Sequence, residues 1–337
     1  MKSINKLAAL VFTLLLFMGV SQVTVAQDYT YDDAAEAYTQ GMEYMEANEF
    51  ESAIESLIRA YEISEAVGAQ AEEVLTRAAE QITQAGLRQL QLHANNRQWE
   101  QAINWVDRVK ELDAEYGDGS ASQRAEQNEA RLYLSWGNDL YRDEENEQAK
   151  EKYEQALELN ANYTRAYYQL GLVERRMGNL DASLENLDRS MELAQEQGAT
   201  EDFERARSQA RDYLIYRGSD ATDEERYNEA EEYLTRALDY DADSARLHYR
   251  LAELYNQTDR FSEALDHATT ALNYEDGGTS DMARIYFEIG VAHKALGNES
   301  DACSAFIDAA HGDYRSSAEH ELEHELGCDN WEEQVGR

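Results

Sequence analysis

The sequence predicts an all-α protein, and three observations support that prediction. Proline is absent from all 337 residues, and glycine occurs only 18 times. Ala, Glu, Leu, Gln and Arg dominate the composition, and these residues are strong helix formers. No stretch alternates polar and apolar residues for long enough to build a sheet. Because 42% of the residues are hydrophobic and recur at helical spacing, we expect a packed core rather than disorder.

The N-terminal residues 1–26 are typical of a secretory signal peptide. Lys2 and Lys6 flank the start of an apolar run, 7–20, and Thr24-Val25-Ala26 offers small residues for cleavage after Ala26. The run is too short to span a bilayer, although an uncleaved anchor is the alternative. No cysteine lies near the cleavage site, so the chain is not expected to be a lipoprotein. The sequence therefore predicts an exported protein, periplasmic or extracellular, without membrane insertion after cleavage and with a flexible segment at 27–32.

The charge balance restricts the partners. The chain has 69 acidic and 30 basic residues, a formal net charge of −39. A body of this charge is repelled by nucleic acid phosphates and by anionic lipid. Nucleic acid and membrane surfaces are therefore not expected as partners.

A self-similar pattern with a period of 34 residues organises the chain. Gly137 and Gly171 stand 34 residues apart, and small residues recur 12 and 19 positions after each of them. The same frame fits five stretches, near 34–67, 130–163, 164–197, 245–278 and 283–312.

This pattern resembles the tetratricopeptide repeat, in which a bulky, Leu, small, bulky order on one helix precedes small, bulky, small on the next. The resemblance implies an α-solenoid, a right-handed superhelix of antiparallel helix pairs. One hairpin cannot bury its own apolar stripe, so neighbouring pairs must stack. The solenoid is expected to cover 33–328, with degenerate units at 69–113 and 201–241. An insertion at 218–225 is expected to separate the two helices of the second degenerate unit.

The C-terminal segment is expected to close the solenoid. A capping helix is predicted over 314–327, with a tail at 329–337. Cys303 lies near the start of the second helix of the last repeat, and Cys328 follows the end of the capping helix. Antiparallel neighbours place these ends side by side, which predicts a disulfide in an oxidising compartment. A redox or metal-ligand pair is the alternative.

The capping helix contains His320-Glu321-Leu322-Glu323-His324, which matches the H-E-x-x-H pattern of zinc peptidases. Leu322 and Leu326 belong to the apolar stripe of this helix, and the two histidines lie on the opposite face, toward solvent. A peptidase also needs a third ligand and a cleft. We therefore expect no metal, no cofactor and no enzymatic activity, with a zinc-dependent hydrolase as a remote alternative. His93, His248 and His293 are predicted to be buried or half-buried core side chains rather than ligands.

The resemblance also implies a partner-binding groove, because the first helix of each tetratricopeptide pair lines the concave side. The family's contacting positions correspond here to Arg131, Asn138, Tyr141, Arg142, Arg165, Tyr168, Gln169, Arg175, Arg176, Arg246, Tyr249, Arg250, Arg284 and Phe287. Four of these arginines occupy first helical turns, where the helix dipole favours acids. Arg246 and Arg250 resemble half of a carboxylate clamp. A carboxylate-bearing extended or helical peptide would fit such a groove, whereas ion pairs with the adjoining repeat are the alternative role of the arginines.

The sequence therefore predicts an extracytoplasmic scaffold or adaptor that binds a protein or peptide in its groove. A structural subunit of a cell-envelope assembly, docked through the convex face, is the alternative.

Overall fold

The computed structural model describes residues 29–336 and is all-helical over that range, without a strand. The predicted signal peptide lies outside the described residues. The α-helices are α1 (Tyr31–Ala47), α2 (Phe50–Val67), α3 (Glu72–Asn95), α4 (Trp99–Tyr116), α5 (Ser120–Arg142), α6 (Asn146–Leu159), α7 (Thr164–Met177), α8 (Leu180–Glu196), α9 (Thr200–Asp223), α10 (Tyr227–Ala237), α11 (Ala245–Gln257), α12 (Phe261–Tyr274), α13 (Thr279–Ala295), α14 (Glu299–Ala309), α15 (Arg315–His320) and α16 (Trp331–Gln334). Between residues 29 and 336, none of these helices has the length and apolarity needed to cross a bilayer.

The helices form consecutive pairs in a repeat arrangement, which is the predicted α-solenoid class. Two compact units divide the described chain. One comprises the residues up to Gln91 together with Asp107–Ser122, and the other comprises Leu92–Val106 and the residues from Gln123 onward. In the first unit, α1, α2 and α3 pack small and branched side chains such as Ala34, Ile63 and Ala78 against one another. Every predicted groove residue lies in the second unit.

The 34-residue frame corresponds to the close crossing of two paired helices. At five crossings within residues 29–336, a glycine on the first helix faces a large side chain sixteen residues later, so that an added Cβ would approach within 2.5–2.7 Å. The glycines are Gly41, Gly137, Gly171, Gly218 and Gly290, and they face Leu57, Tyr153, Leu187, Leu234 and Phe306, respectively. In the repeat of α11 and α12, Ala252 takes the place of the glycine and Ala268 that of the large residue. The two facing positions are therefore complementary in size.

The insertion predicted at 218–225 is wrong. The helix α9 continues to Asp223, and Gly218 is the crossing glycine of its pair. The hydroxyl of Thr222 donates a hydrogen bond to the Gly218 carbonyl within the helix. Glycine is present here because the backbone must approach Leu234, and no turn is required. Gly218 also lies 34 residues before Ala252, so the unit is in register with the next one.

Extra residues in the longer repeats extend the first helix of the pair. The helices α3, α5 and α9 contain 24, 23 and 24 residues, whereas α7 and α11 contain 14 and 13. The distance from Gly171 to Gly218 is consequently 47 residues rather than 34. A strict 34-residue period therefore loses the repeat at this point, although the packing continues.

The two ends of the described chain differ from the prediction. The helix α1 begins at Tyr31 inside the segment expected to be flexible, because Thr30 and Asp33 form a capping box. At the other end, the predicted capping helix 314–327 divides into α15 and a π-helix, Glu321–Glu325. The predicted tail contains α16, and its Trp331 is buried against the cap.

The cap is linked covalently to the last repeat. The structure joins Cys303 and Cys328 in a disulfide with a Cα–Cα distance of 5.9 Å. Ala318 and Leu322 of the cap are fully buried against Phe306 and Ala309 of α14. The disulfide therefore fastens a segment that also buries apolar surface.

Candidate partner-binding cleft

A cleft of about 490 Å³ lies among the first helices of three consecutive pairs, α5, α7 and α9. We call it the tyrosine–arginine cleft. Its lining residues are Tyr141, Tyr168, Leu172, Arg175, Arg176, Gln209, Tyr213 and Tyr216. The side chain of Tyr216 is 58% exposed, so an aromatic ring is presented to solvent at this site.

Two adjacent guanidinium groups project from the end of α7 into the cleft. Arg176 lies over the ring of Tyr141, 3.5 Å from its centroid, and donates a hydrogen bond to the Tyr141 carbonyl. Arg175 lies 5.3 Å from the ring centroid of Tyr213 and donates to Oε1 of Gln209 at 2.8 Å. These contacts hold the two cations between aromatic faces on either side of α7.

Within the described part of the chain, residues 29–336, no carboxylate forms an ion pair with Arg175 or Arg176. Within residues 29–336, the hydrogen-bond acceptors of Arg175 and Arg176 are carbonyl and amide oxygens. Most other arginines of the second unit pair with acids, as Arg211 does with Asp241 at 2.6 Å. A guanidinium that keeps its charge and is already oriented can accept a carboxylate through two parallel hydrogen bonds. The cleft can therefore bind an anionic group between tyrosine rings.

The hydroxyl of Tyr168 is part of the same surface. Burial raises the pKa of Tyr168, and the nearby Arg205 and Arg175 oppose that rise. Tyr168 therefore remains a neutral hydrogen-bond donor at physiological pH. Its ring and hydroxyl can contact an apolar side chain and a polar group of one ligand.

Four predicted groove residues thus come together in the cleft, namely Tyr141, Tyr168, Arg175 and Arg176. Several other predicted residues lie outside its lining. Arg131, Arg165 and Arg246 are exposed, and Gln169 is half-buried.

Two further predicted residues interact within their own repeat. Asn138 accepts a hydrogen bond from the Tyr153 hydroxyl at 3.0 Å. Arg142 pairs with Asp139 at 2.7 Å. The ion pair of Arg142 thus lies within its own helix, whereas the alternative role expected pairing with the adjoining repeat.

The predicted groove residues nearest the C-terminus have internal partners. Arg250 pairs with Glu253 at 2.7 Å and Arg284 pairs with Glu275 at 2.8 Å. Both guanidiniums lie beside the ring of Tyr249, at 5.2 and 5.3 Å from its centroid. The half clamp expected at Arg246 and Arg250 is therefore not assembled, because Arg250 is already paired.

The cap also contacts the predicted groove residues nearest the C-terminus. The hydroxyls of Tyr249 and Tyr314 share a hydrogen bond at 3.0 Å, and the ring of Phe287 packs on Tyr314 with centroids 5.3 Å apart. Tyr314 lies just before α15. Through these two contacts it covers the face of α11 and α13 that was expected to bind a partner. We therefore exclude Tyr249, Arg250, Arg284 and Phe287 from the candidate cleft.

Sequence reasoning missed Leu172 and the α9 wall of the cleft, which consists of Gln209, Tyr213 and Tyr216. The α9 wall was missed because the supposed insertion at 218–225 removed α9 from the frame. With Gly218 as the crossing residue, Tyr216 falls at position 6 of the repeat, a contacting position of the family. The signal was therefore present in the spacing of Gly218 and Ala252.

The H-E-x-x-H segment presents both of its histidines to solvent. His320 and His324 are exposed, with ring centroids 5.0 Å apart. Glu321 accepts a hydrogen bond from Nζ of Lys294 at 2.6 Å. Across residues 29–336, no group of three or more His, Cys, Asp or Glu side chains is placed to hold a metal ion.

A buried carboxyl group lies on α13, one of the two helices whose predicted groove face Tyr314 covers. Glu288 of α13 is 9% exposed and accepts a hydrogen bond from Nδ2 of Asn256 at 2.8 Å. Burial raises the pKa of Glu288 to about 7, and the nearby Glu253 adds to the rise. The native state therefore binds this proton more tightly than the unfolded chain does.

Replacing Glu288 with glutamine is expected to stabilise the protein at alkaline pH. A raised native pKa contributes stability at low pH that is lost as the pH rises through about 7. Glu288→Gln should match the wild type near pH 5 and exceed it by about 2 kcal/mol near pH 9. Urea unfolding at both pH values measures this, with the exposed Glu299→Gln as the control. A benefit of equal size at the two pH values would contradict the raised pKa.

Comparison with known proteins identifies the repeat. Two family models of the tetratricopeptide repeat match the chain, one over residues 134–190 and the other over 221–286. The second match includes the pair α11 and α12 and part of the unit expected to be degenerate. The chain therefore contains tetratricopeptide repeats. No curated protein matches it.

Solved structures with similar folds include YrrB, which is described as a TPR protein, MamA and the TPR2AB domain of yeast Sti1. YrrB, described as having an unusual peptide-binding site, is 20% identical, with 58% of this chain and 93% of that chain covered at a TM-score of 0.36. MamA is 18% identical, and the match covers 59% of this chain and 97% of that chain at a TM-score of 0.37. The TPR2AB domain of yeast Sti1, in a complex with pHSP90, is 14% identical, and the match covers 91% of this chain and 98% of that chain at a TM-score of 0.29. The TM-scores are low, and none of these likenesses bears on the function of this chain.

Proposed function

We propose that this chain is an exported scaffold that binds a protein or peptide partner in the tyrosine–arginine cleft. The observation that carries the proposal is the pair Arg175 and Arg176, two oriented guanidiniums without a carboxylate partner among residues 29–336. The protein as a whole has a net charge of −39. An acidic protein that needed these charges only for its own packing would be expected to neutralise them. Elsewhere in this protein acidic side chains do neutralise arginines, as in the ion pairs of Arg142 and Arg250.

The chemistry of the lining defines the partner. Tyr141 and Tyr213 present aromatic faces, and Arg175 and Arg176 present cations beside them. Aromatic and arginine side chains are the residues that most often dominate the binding energy of an interface. An extended segment with carboxylates and at least one apolar side chain satisfies both kinds of group.

Export is part of the proposal and is supported by the sequence. The positive, apolar and small-residue order of 1–26 is that of a signal peptide. The disulfide between Cys303 and Cys328 suits an oxidising compartment. Binding rather than catalysis is supported by the ion pair of Glu321 with Lys294, which occupies the carboxylate that a peptidase would use as its base.

Photo-crosslinking in the native cell tests the proposal. A photoreactive phenylalanine at Tyr216, in the cleft, is expected to capture a discrete partner that mass spectrometry can identify. The same probe at Tyr274 of α12, which is 46% exposed, is the matched control outside the cleft. Capture at Tyr274 but not at Tyr216 would support a structural subunit that docks through another face and would contradict the cleft.

A further inference from the structure

A buried histidine, His248, and a half-buried one, His267, are hydrogen-bonded directly to each other in the repeat formed by α11 and α12. Nδ1 of His248 lies 2.9 Å from Nδ1 of His267, and Nε2 of His248 lies 2.8 Å from the carbonyl oxygen of Ala242. His248 is only 7% exposed. The pair therefore connects α11, α12 and the turn that precedes α11. It has no part in the proposed cleft.

The hydrogen bonds fix where the protons are. A carbonyl oxygen only accepts, so Nε2 of His248 carries a hydrogen and the neutral ring leaves Nδ1 bare. Nδ1 of His267 must then carry the hydrogen that bridges the two rings. One further proton can bind at Nε2 of His267 without disturbing this bridge. The next proton would have to bind at Nδ1 of His248, which would remove the bridge and leave two adjacent cations.

We propose that the pair of His248 and His267 makes the packing of α11 against α12 sensitive to acid. The pair holds the two helices and the Ala242 turn together while it carries at most one positive charge. Addition of the second proton separates the rings. The helix α11 carries the predicted groove residues Arg246, Tyr249 and Arg250. Acidification therefore loosens one of the two helices whose predicted groove face Tyr314 covers.

A shared metal ion fits this geometry less well. The ring centroids are 5.1 Å apart although the nitrogens are 2.9 Å apart, which means that the rings meet through their nitrogen edges. Both Nδ1 lone pairs then lie nearly on one line, whereas two ligands of one ion must converge at an angle. A proton fits between the nitrogens and a metal ion does not.

The surroundings of the pair restrict its total charge. On α12, Asp266 and Glu263 favour a charged His267, whereas Arg260 opposes it. The remaining titratable groups around the pair are Tyr255 of α11, Tyr274 at the end of α12 and Asp243, which bonds Tyr274 from the turn. Burial holds the pKa of His267 below its ordinary value.

The sign of the pH effect follows from this lowered pKa. Below about pH 6.5 the unfolded chain binds more protons than the native pair does. Stability from the pair is therefore complete above that pH and decreases as the pH falls toward the native pKa of His267.

Nitrogen NMR of the imidazoles in the full protein tests the proton assignment. Near pH 8, His248 should be protonated at Nε2 and His267 at Nδ1, and His267 should titrate below the ordinary pKa of a histidine side chain. A His267 protonated at Nε2 alone, or titrating at or above that ordinary pKa, would overturn the proposal. This measurement requires no variant.

Amide hydrogen exchange tests the consequence. Protection of α11 and α12 is expected to fall about tenfold between pH 7.5 and pH 5, after correction for the intrinsic rates, while that of α7 and α8 stays constant. His248→Asn keeps an acceptor for the Nδ1–H group of His267 but cannot bind the second proton, so its α11 and α12 should lose most of this response. His324→Asn should behave as the wild type. An undiminished response in His248→Asn would overturn the proposal.

Discussion

Replacing Gly171 with valine is expected to lower the free energy of unfolding by about 3 kcal/mol, at the upper end of the cost of overpacking a core. A Cβ at Gly171 would lie 2.7 Å from Cγ of Leu187 and 3.2 Å from the carbonyl oxygen of Ser183. The Ser183 hydroxyl also donates a hydrogen bond to the Gly171 carbonyl at 2.8 Å, which holds α7 and α8 at this distance. A larger residue must therefore push the two helices apart. Urea unfolding followed by circular dichroism measures the loss.

Two variants separate overpacking from other effects of valine. Ala295→Val adds the same side chain type at an exposed helix end and should cost less than about 0.5 kcal/mol. In a Leu187→Ala background, Gly171→Val should cost much less than it does alone, because the facing side chain has been removed. Additive costs of the two substitutions would contradict the size complementarity of the crossing.

Replacing both Cys303 and Cys328 with alanine is expected to destabilise the cap by about 3 kcal/mol, because the closed loop restricts the unfolded chain. The two residues are 25 apart in sequence and enclose α15 and the π-helix. Exchange of amides around Leu322 and Ala318 should accelerate, because loss of the disulfide releases the covalent link that fastens this segment to α14. Amides of α7 should keep their rates.

The wild-type protein provides the matching chemical control. Alkylation without reductant should leave its mass unchanged, whereas alkylation after unfolding in reductant should add two groups. A wild type that takes up two groups without reductant would show that the bond is absent. Normal exchange around Leu322 in the double variant would show that burial alone holds the cap.

The helical class and most of the register could be predicted from the sequence. The spacing of Gly137 and Gly171 reports a local contact between paired helices, and such contacts repeat with the chain. The longer period at Gly218 could not be found with a fixed spacing, because the extra residues extend α9 without changing the crossing. A pattern based on glycine facing a large residue sixteen positions later would have included it.

The candidate cleft could be predicted only in part, because contacts between distant residues decide which groove positions remain open. Arg250 has Glu253 three residues later on the same helix, so its ion pair was readable in advance. The contact of Tyr249 with Tyr314 joins residues 65 apart and depends on how the cap folds back. Sequence spacing alone does not distinguish such a covered position from the open cleft at Arg176.

The yield of the crosslink from position 216 after charge reversal in the cleft tests the central claim most directly. With the photoreactive residue at Tyr216, Arg175→Glu together with Arg176→Glu should reduce partner capture by at least about tenfold, because like charges then face an acidic ligand. The matched reversal Arg142→Glu, at an arginine already paired with Asp139, should leave capture within about twofold. Circular dichroism should show that all variants remain folded. Undiminished capture by the folded double variant would contradict the assignment of the cleft as the binding site.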